Sequence, residues 1–81
     1  MNIQAEVSLY PLGDGEFSER IDAFIENLNN AGLEIEVGRL SSLVSGECSD
    51  IFRILSDAFE EDSELGPAVM TLKVSNTSAS D

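Results

Sequence analysis

The sequence contains no histidine, one cysteine and only four basic residues among 81. Each shortage removes a class of chemistry. Without histidine there is no His-based triad and no imidazole general base. The lone Cys48 cannot close an internal disulfide, and alone it cannot build the His/Cys clusters that hold zinc, haem or iron–sulfur centres within one chain. A carboxylate site for a hard cation stays formally open, but no residues single themselves out as metal ligands or as a catalytic pair. The four basic residues, Arg20, Arg39, Arg53 and Lys73, face sixteen acids, for a formal charge of −12. Nucleic-acid binding needs a basic footprint, and none can be drawn. An anionic membrane surface is disfavoured on the same ground. No apolar run approaches the ~20 residues that span a bilayer. No basic-then-apolar leader opens the chain, so the expectation is a soluble cytoplasmic protein.

The charge imbalance also bears on stability. Like charges repel at low ionic strength, and salt screens them. Many acids with almost no lysine suggest a cytoplasmic protein of a high-salt organism. The melting temperature is therefore expected to rise with added salt, and a flat or falling dependence would contradict this reading. At 42% apolar and 25% charged residues the chain reads as globular. A chain this short buries only about 60% of the surface its unfolded form exposes. Self-association would help it. One domain over residues 1–76 is expected, with "TSASD" at 77–81 a frayed, disordered tail.

Periodicity supplies the elements. "NIQAEVSLY" alternates, with Ile3, Ala5, Val7 and Leu9 on one face and Gln4, Glu6, Ser8 and Tyr10 on the other. This is a half-buried strand, which Pro11 is expected to end. "GDG" is a turn. Asp14 is a candidate N-cap for the next helix, with Glu16 and Glu19 near its positive end. Phe17, Ile21, Phe24, Ile25 and Leu28 form one helical stripe, and Gly32 stands where a left-handed C-cap belongs. "LEIEVG" alternates again, with Leu33, Ile35 and Val37 inward. "LSSLVS" is compatible with a strand, and Ser49 or Asp50 can cap a second helix striped by Ile51, Ile54, Leu55, Ala58 and Phe59. "EEDSELGP" reads as an acidic exit loop. "AVMTLKVSN" is a last strand, with Ala68, Met70, Leu72 and Val74 on one face.

The order β-α-β-β-α-β is that of a ferredoxin-like α+β domain, a four-stranded antiparallel sheet with two helices on one face. The other face, carrying Glu6, Ser8, Tyr10, Glu34, Glu36, Val69, Thr71 and Lys73, is mixed and could pair with a second subunit. Acylphosphatases share this order but place an arginine in a phosphate-cradling loop after the first strand. Here that loop, "YPLGDGEF", has no basic residue. Metal-carrying modules of the fold use a cysteine pair in the same place. RNA-binding modules need aromatics on the central strands and a basic surface, and only Tyr10 qualifies.

Three features invite a functional reading beside a structural one. Cys48 precedes the second helix, where a thiol pKa can fall, yet Glu47 and Asp50 bring the wrong sign, and a packing role suits it better. Tyr10 is either an amphipathic lid over the sheet edge or a surface for a flat ring. "LSSLVSGE" is more specific. Ser42 and Val44 face one way, and Ser41, Leu43 and Ser45 the other. Hydroxyls both donate and accept, which suits a neutral ring with mixed polar edges. Gly46 permits close approach, and Glu47 could accept from an amino group. The same residues also make an ordinary polar edge strand with a turn glycine.

At "AEVSLYPLG" and "EVGRLSSLVSGE" the chain resembles the small thiamine-binding proteins of the YkoF-like superfamily. Their pattern is a strand ending in "SLYPLG"-like residues and a helix. A strand like "GLEVEVGPMST" and a segment "x-I-x-G-E/D" come before the second helix. Residues 5 to 13 and "AGLEIEVG" at 31 to 38 match closely. Ser42 stands where threonine is usual and Arg39 where proline is usual. The resemblance implies a non-enzymatic protein that binds thiamine or its hydroxymethylpyrimidine part and forms dimers or tetramers through its sheets. It implies no cofactor beyond that ligand. Carried over by position, the ligand-binding residues are Ser8, Tyr10, Ser41, Ser42 and Glu47. Ser41 and Ser42 would meet the ring nitrogens and amino group, Tyr10 would line the ring, and Glu47 would orient the amino group or the segment itself. Arg39 adds a cation that would oppose the positive thiazolium of thiamine more than the neutral pyrimidine. Two other classes share the observations. One is an amino-acid-binding regulatory module of the ACT type. The other is a ligand-free structural oligomer. An enzyme is not expected, since no nucleophile and base pair can be named.

Overall fold

The computed structural model describes residues 1–15 and 17–77. The elements are β1 (Asn2–Pro11), α1 (Phe17–Asn30), β2 (Glu34–Val37), β3 (Ser42–Glu47), α2 (Cys48–Ser63) and β4 (Ala68–Ser75). The strands form one sheet in the order β2-β3-β1-β4, antiparallel throughout. Inward residues of the strands, Ile3, Ala5, Val7 and Val44, pack with Phe24 and Leu28 of α1 and with Ile51, Ile54, Leu55 and Ala58 of α2. Both helices therefore lie on one face, and the domain is the ferredoxin-like α+β arrangement that the pattern predicts. The expectations for Glu16 and for a disordered tail concern residues 16 and 78–81, which lie outside the described residues.

The helix ends are set by local chemistry. Beyond α1, Gly32 takes φ +90. Its N–H bonds to the carbonyl of Asn29 at 3.0 Å and that of Leu33 to Leu28 at 3.4 Å, the paired bonds of a Schellman ending. At the other end of α1, Asp14 stands three positions ahead of Phe17, too far upstream to be the N-cap. The second helix starts earlier than the serine and aspartate suggested. Glu47 is its cap, accepting from the N–H of Ser49 at 3.0 Å, so neither Ser49 nor Asp50 has that role.

That helix also ends later. "EED" is helical through Ser63, not loop, because Asp62 lies one turn beyond Ala58 on the buried stripe. Arg20 and Asp62 are only 6% and 5% exposed. Nε and Nη2 of Arg20 donate to the two carboxylate oxygens of Asp62 at 3.1 and 2.8 Å. The same guanidinium donates to the carbonyls of Leu12, Gly66 and Pro67 at 3.3, 3.0 and 3.1 Å. Asp62 raises the arginine's pKa further, chiefly through their hydrogen bond. One side chain thus fastens both helices to the loops that leave β1 and enter β4.

The strand edges depart from the predicted burial. Val37 is 58% exposed and Leu72 37%, although both lie on the helix side. Two helices cover the central strands fully and the outer ones only in part. β1 ends at Pro11 as expected, with the proline itself included as the last paired residue, opposite Ala68. The proline is tolerated because β3 stops opposite Val7, so from Ser8 onward β1 has a neighbour on the β4 side alone.

Candidate functional site

The overrun of β1 beyond β3 leaves a notch in the sheet. The turn from Gly38 to Ser41 folds over it. Gly38 donates to the carbonyl of Ser41 at 2.9 Å. A Cβ at position 38 would meet that oxygen at 2.8 Å, so only glycine closes the turn this tightly. The hydroxyl of Ser8 donates to the carbonyl of Leu40 at 3.2 Å and ties the turn to β1. Helix α1 forms the remaining wall. The result is a cavity of 240 Å³ with Ser8, Tyr10, Ser41 and Ser42 in its lining. Ligand cavities for drug-sized molecules run from about 300 Å³ upward, so this one suits a single ring with small substituents.

Four of the five residues carried over by the family resemblance therefore line one cavity, Ser42 from the helix-side parity and Ser8 and Tyr10 from the open-face parity of β1. Ser42 faces the helices beside Val44, as the alternation requires, and is 8% exposed. No buried side-chain nitrogen or oxygen among the described residues lacks a partner. The Ser42 hydroxyl makes no hydrogen bond to them, so it is open to the cavity it lines. Tyr10 stands at the rim, 51% exposed, opposite Val69 of β4. Arg39 is on the wall as well, and Asp22 of α1 contributes a carboxylate. The apolar lining comes from Val7, Leu9, Ile21, Phe24 and Ile25. Asp22 escaped the sequence reading because it sits beside the helical stripe, next to Ile21, and not on it.

Glu47 is not part of this cluster. It is the last residue of β3, five steps or about 17 Å along the strand from Ser42. It lines a different, larger cavity of 590 Å³ with Asn2, Gln4, Asp50 and Arg53. The charged groups there engage one another. Oε2 of Glu47 accepts from the Met1 amino group at 3.0 Å, and Asp50 accepts from Arg53 at 3.3 Å. Glu47 Oε1 also accepts from the Ser49 hydroxyl. These contacts hold the Glu47 carboxyl down to about 2, the Ser49 hydroxyl contributing most and the Met1 amino group next.

A carboxyl depressed in the folded chain stabilises the fold above its unfolded pKa, about 4.3. That contribution is lost as pH falls towards about 2. Acid unfolding of Glu47→Gln, followed by circular dichroism, is expected to be shallower than that of the parent across this window. Parallel curves would contradict the role given to Glu47. Cys48 packs part-buried against the core, consistent with a filling role.

The architecture and the notch define a class: a small ferredoxin-like domain with a ring-sized, hydroxyl-lined cavity at the end of its central strand. The profile of the YKOF-related family matches residues 2–81, and the chain belongs to that family. Solved structures share its fold. A Streptococcus pneumoniae protein is 21% identical with a TM-score of 0.89, over 98% of this chain and 90% of its own. A hypothetical protein of Methanocaldococcus jannascii is 24% identical with a TM-score of 0.86, over 96% of this chain and 82% of its own. A Thermotoga maritima protein, provisionally assigned to thiamine biosynthesis or salvage, is 23% identical with a TM-score of 0.86, over 95% of this chain and 85% of its own. No curated protein matches the chain. No helix among the described residues is long and apolar enough to cross a membrane.

Proposed function

We propose that this protein is a non-enzymatic binder of thiamine or its hydroxymethylpyrimidine moiety, with the ring held in the notch beside β1. The observation that carries the reading is the convergence of Ser8, Tyr10, Ser41 and Ser42 on one ring-sized cavity, with the Ser42 hydroxyl unbonded to the described residues. Hydroxyls that donate and accept match a pyrimidine with ring nitrogens and an amino group. Tyr10 offers a face for the ring. Membership of the YKOF-related family and the likeness to a protein assigned to thiamine biosynthesis or salvage point the same way. Glu47, tied to the start of α2, acts on the segment and not on the ring.

The assembly is a homo-oligomer built through the open face of the sheet. That face exposes Tyr10, Leu43 and Val69, apolar surface of the kind that marks an interface.

Thermal melting at high salt tests the reading. With ligand at one hundred times its dissociation constant, stabilisation should be ~2.7 kcal/mol. In so small a domain that is a shift of about 10–20 °C. Hydroxymethylpyrimidine is expected to give the shift, and thiamine a smaller one at equal concentration because of Arg39. Ser41→Ala and Ser42→Ala should reduce it, and Arg39→Pro should narrow the gap between the two ligands. An amino acid raising the melting point where neither pyrimidine does would replace this reading with that of a regulatory module. Light scattering on the same samples should give a mass above that of one chain.

A further inference from the structure

We infer that the main-chain N–H and C=O of Leu9, left without a strand partner at the notch, form the donor–acceptor pair that reads the amino edge of the pyrimidine. The inference rests on the ligand class proposed above and assigns how the ring is recognised.

Three bonds at the ends of the ladders fix which way each residue of β1 turns its backbone. The N–H of Cys48 donates to the carbonyl of Met1 at 2.8 Å. Since Asn2 pairs with Glu47, Met1 stands opposite Cys48, and odd-numbered residues turn toward β3. The N–H of Leu12 donates to the carbonyl of Pro67 at 2.9 Å, so even-numbered residues turn toward β4. The bond from Gly38 to the Ser41 carbonyl agrees. It points Ser41 toward β2, hence Ser42 toward β1, opposite Val7. Antiparallel ladders alternate in this way along their whole length.

Leu9 is the first odd residue past the end of β3. Its N–H and C=O face the side that β3 has vacated. The position opposite is Leu40, whose carbonyl already accepts from the Ser8 hydroxyl. Among the described residues neither main-chain group of Leu9 has a partner. Leu9 is half-buried and lines the same cavity as Ser41 and Ser42. Main-chain polar groups are satisfied by protein, water or ligand, and an adjacent donor and acceptor free of protein partners in a cavity wall match a ligand carrying the complement. The next odd residue is Pro11, which has no N–H to offer. Leu9 is thus the one residue of the overrun that presents both groups to the notch, and it allows a single register.

An aminopyrimidine carries that complement. A ring nitrogen accepts from the Leu9 N–H, and the neighbouring amino group donates to the Leu9 C=O. The oxo analogue, with a carbonyl in place of the amino group, would set acceptor against acceptor. Sites that hydrogen-bond a ligand in this way discriminate sharply, because a mismatch leaves buried polar groups unpaired.

The test is amide hydrogen exchange and nitrogen-15 NMR on the whole chain, with hydroxymethylpyrimidine and with its oxo analogue as probes. In the free protein the Leu9 amide is expected to exchange quickly although its neighbours in β1 are protected. With hydroxymethylpyrimidine at one hundred times its dissociation constant, exchange at Leu9 should slow about a hundredfold, with a downfield shift of its proton. An ester at position 9, made with the hydroxy-acid analogue of leucine, deletes that N–H and weakens the Ser8 carbonyl, which faces Thr71 of β4 and not the notch. It should weaken binding about tenfold without lowering the melting temperature of the free protein much. A protected Leu9 amide in the free protein overturns the inference. So does a ligand that shifts the Ser41 and Ser42 resonances but leaves Leu9 unchanged, or an oxo analogue that binds equally well; in both cases the proposed function stands. Absence of binding by hydroxymethylpyrimidine overturns both.

Discussion

Replacing Asp62 by alanine is expected to lower the melting temperature by about 15 °C or more. The cause is what remains behind. Arg20 keeps its charge, buried, with both of its bonds to the carboxylate gone. It also keeps its grip on the carbonyls of Leu12, Gly66 and Pro67, so the strain falls on the loops that flank β1 and β4. Removing one partner of a buried pair is far worse than removing both, since the pair's attraction had offset the desolvation of each. The double variant Arg20→Met with Asp62→Leu should therefore recover much of the loss. Thermal unfolding of the three proteins at high salt decides the matter. A melting temperature for Asp62→Ala within about 3 °C of the parent would show that the pair contributes little.

The second large effect is functional. Ser42→Leu should weaken hydroxymethylpyrimidine binding by about a hundredfold or more while the free protein melts near its normal temperature. Ser42 points to the helix side, between the apolar neighbours Val44 and Val7, and an apolar side chain is compatible with that environment. The added volume goes into the cavity, beside Phe24 and Ile25, and takes the space of the ring. A clash of this kind is worth up to about 3 kcal/mol, which is more than a hundredfold in affinity. Isothermal calorimetry gives the number. Affinity within threefold of the parent would place the ligand elsewhere.

The sheet was legible because alternation is a local property. The parity of Ile3, Ala5, Val7 and Leu9 put the right residues inward, and the parity of "SSLVS" separated Ser42 and Val44 from Ser41 and Leu43 before any partner strand was known. The buried ion pair was not legible, because Arg20 and Asp62 are 42 residues apart and nothing local joins them. A trace was present: Arg20 lies one turn before Phe24, and Asp62 one turn after Ala58, so each continues an apolar stripe with a charge. The acidic stretch around Asp62 reads as loop when only composition is weighed, and becomes helix once Arg20 is there to receive it.

The notch depended on a relation between strands. Its existence follows from β1 continuing to Pro11 while β3 begins at Ser42, and that stagger appears only with the register. Pro11 marked the end of β1, but not the side on which the strand stands alone. Proline ends a strand that has neighbours on both sides, and here its missing N–H faces the empty one. The separation of Glu47 from the serines was implicit in the strand length, since five residue steps exceed the size of a single ring.

A crystal structure of the protein grown with hydroxymethylpyrimidine tests the central claim most directly. The account predicts the ring in the notch, against Ser41 and Ser42, with Tyr10 over it. A ring seated beside Glu47 in the larger cavity, with the notch empty, would contradict it.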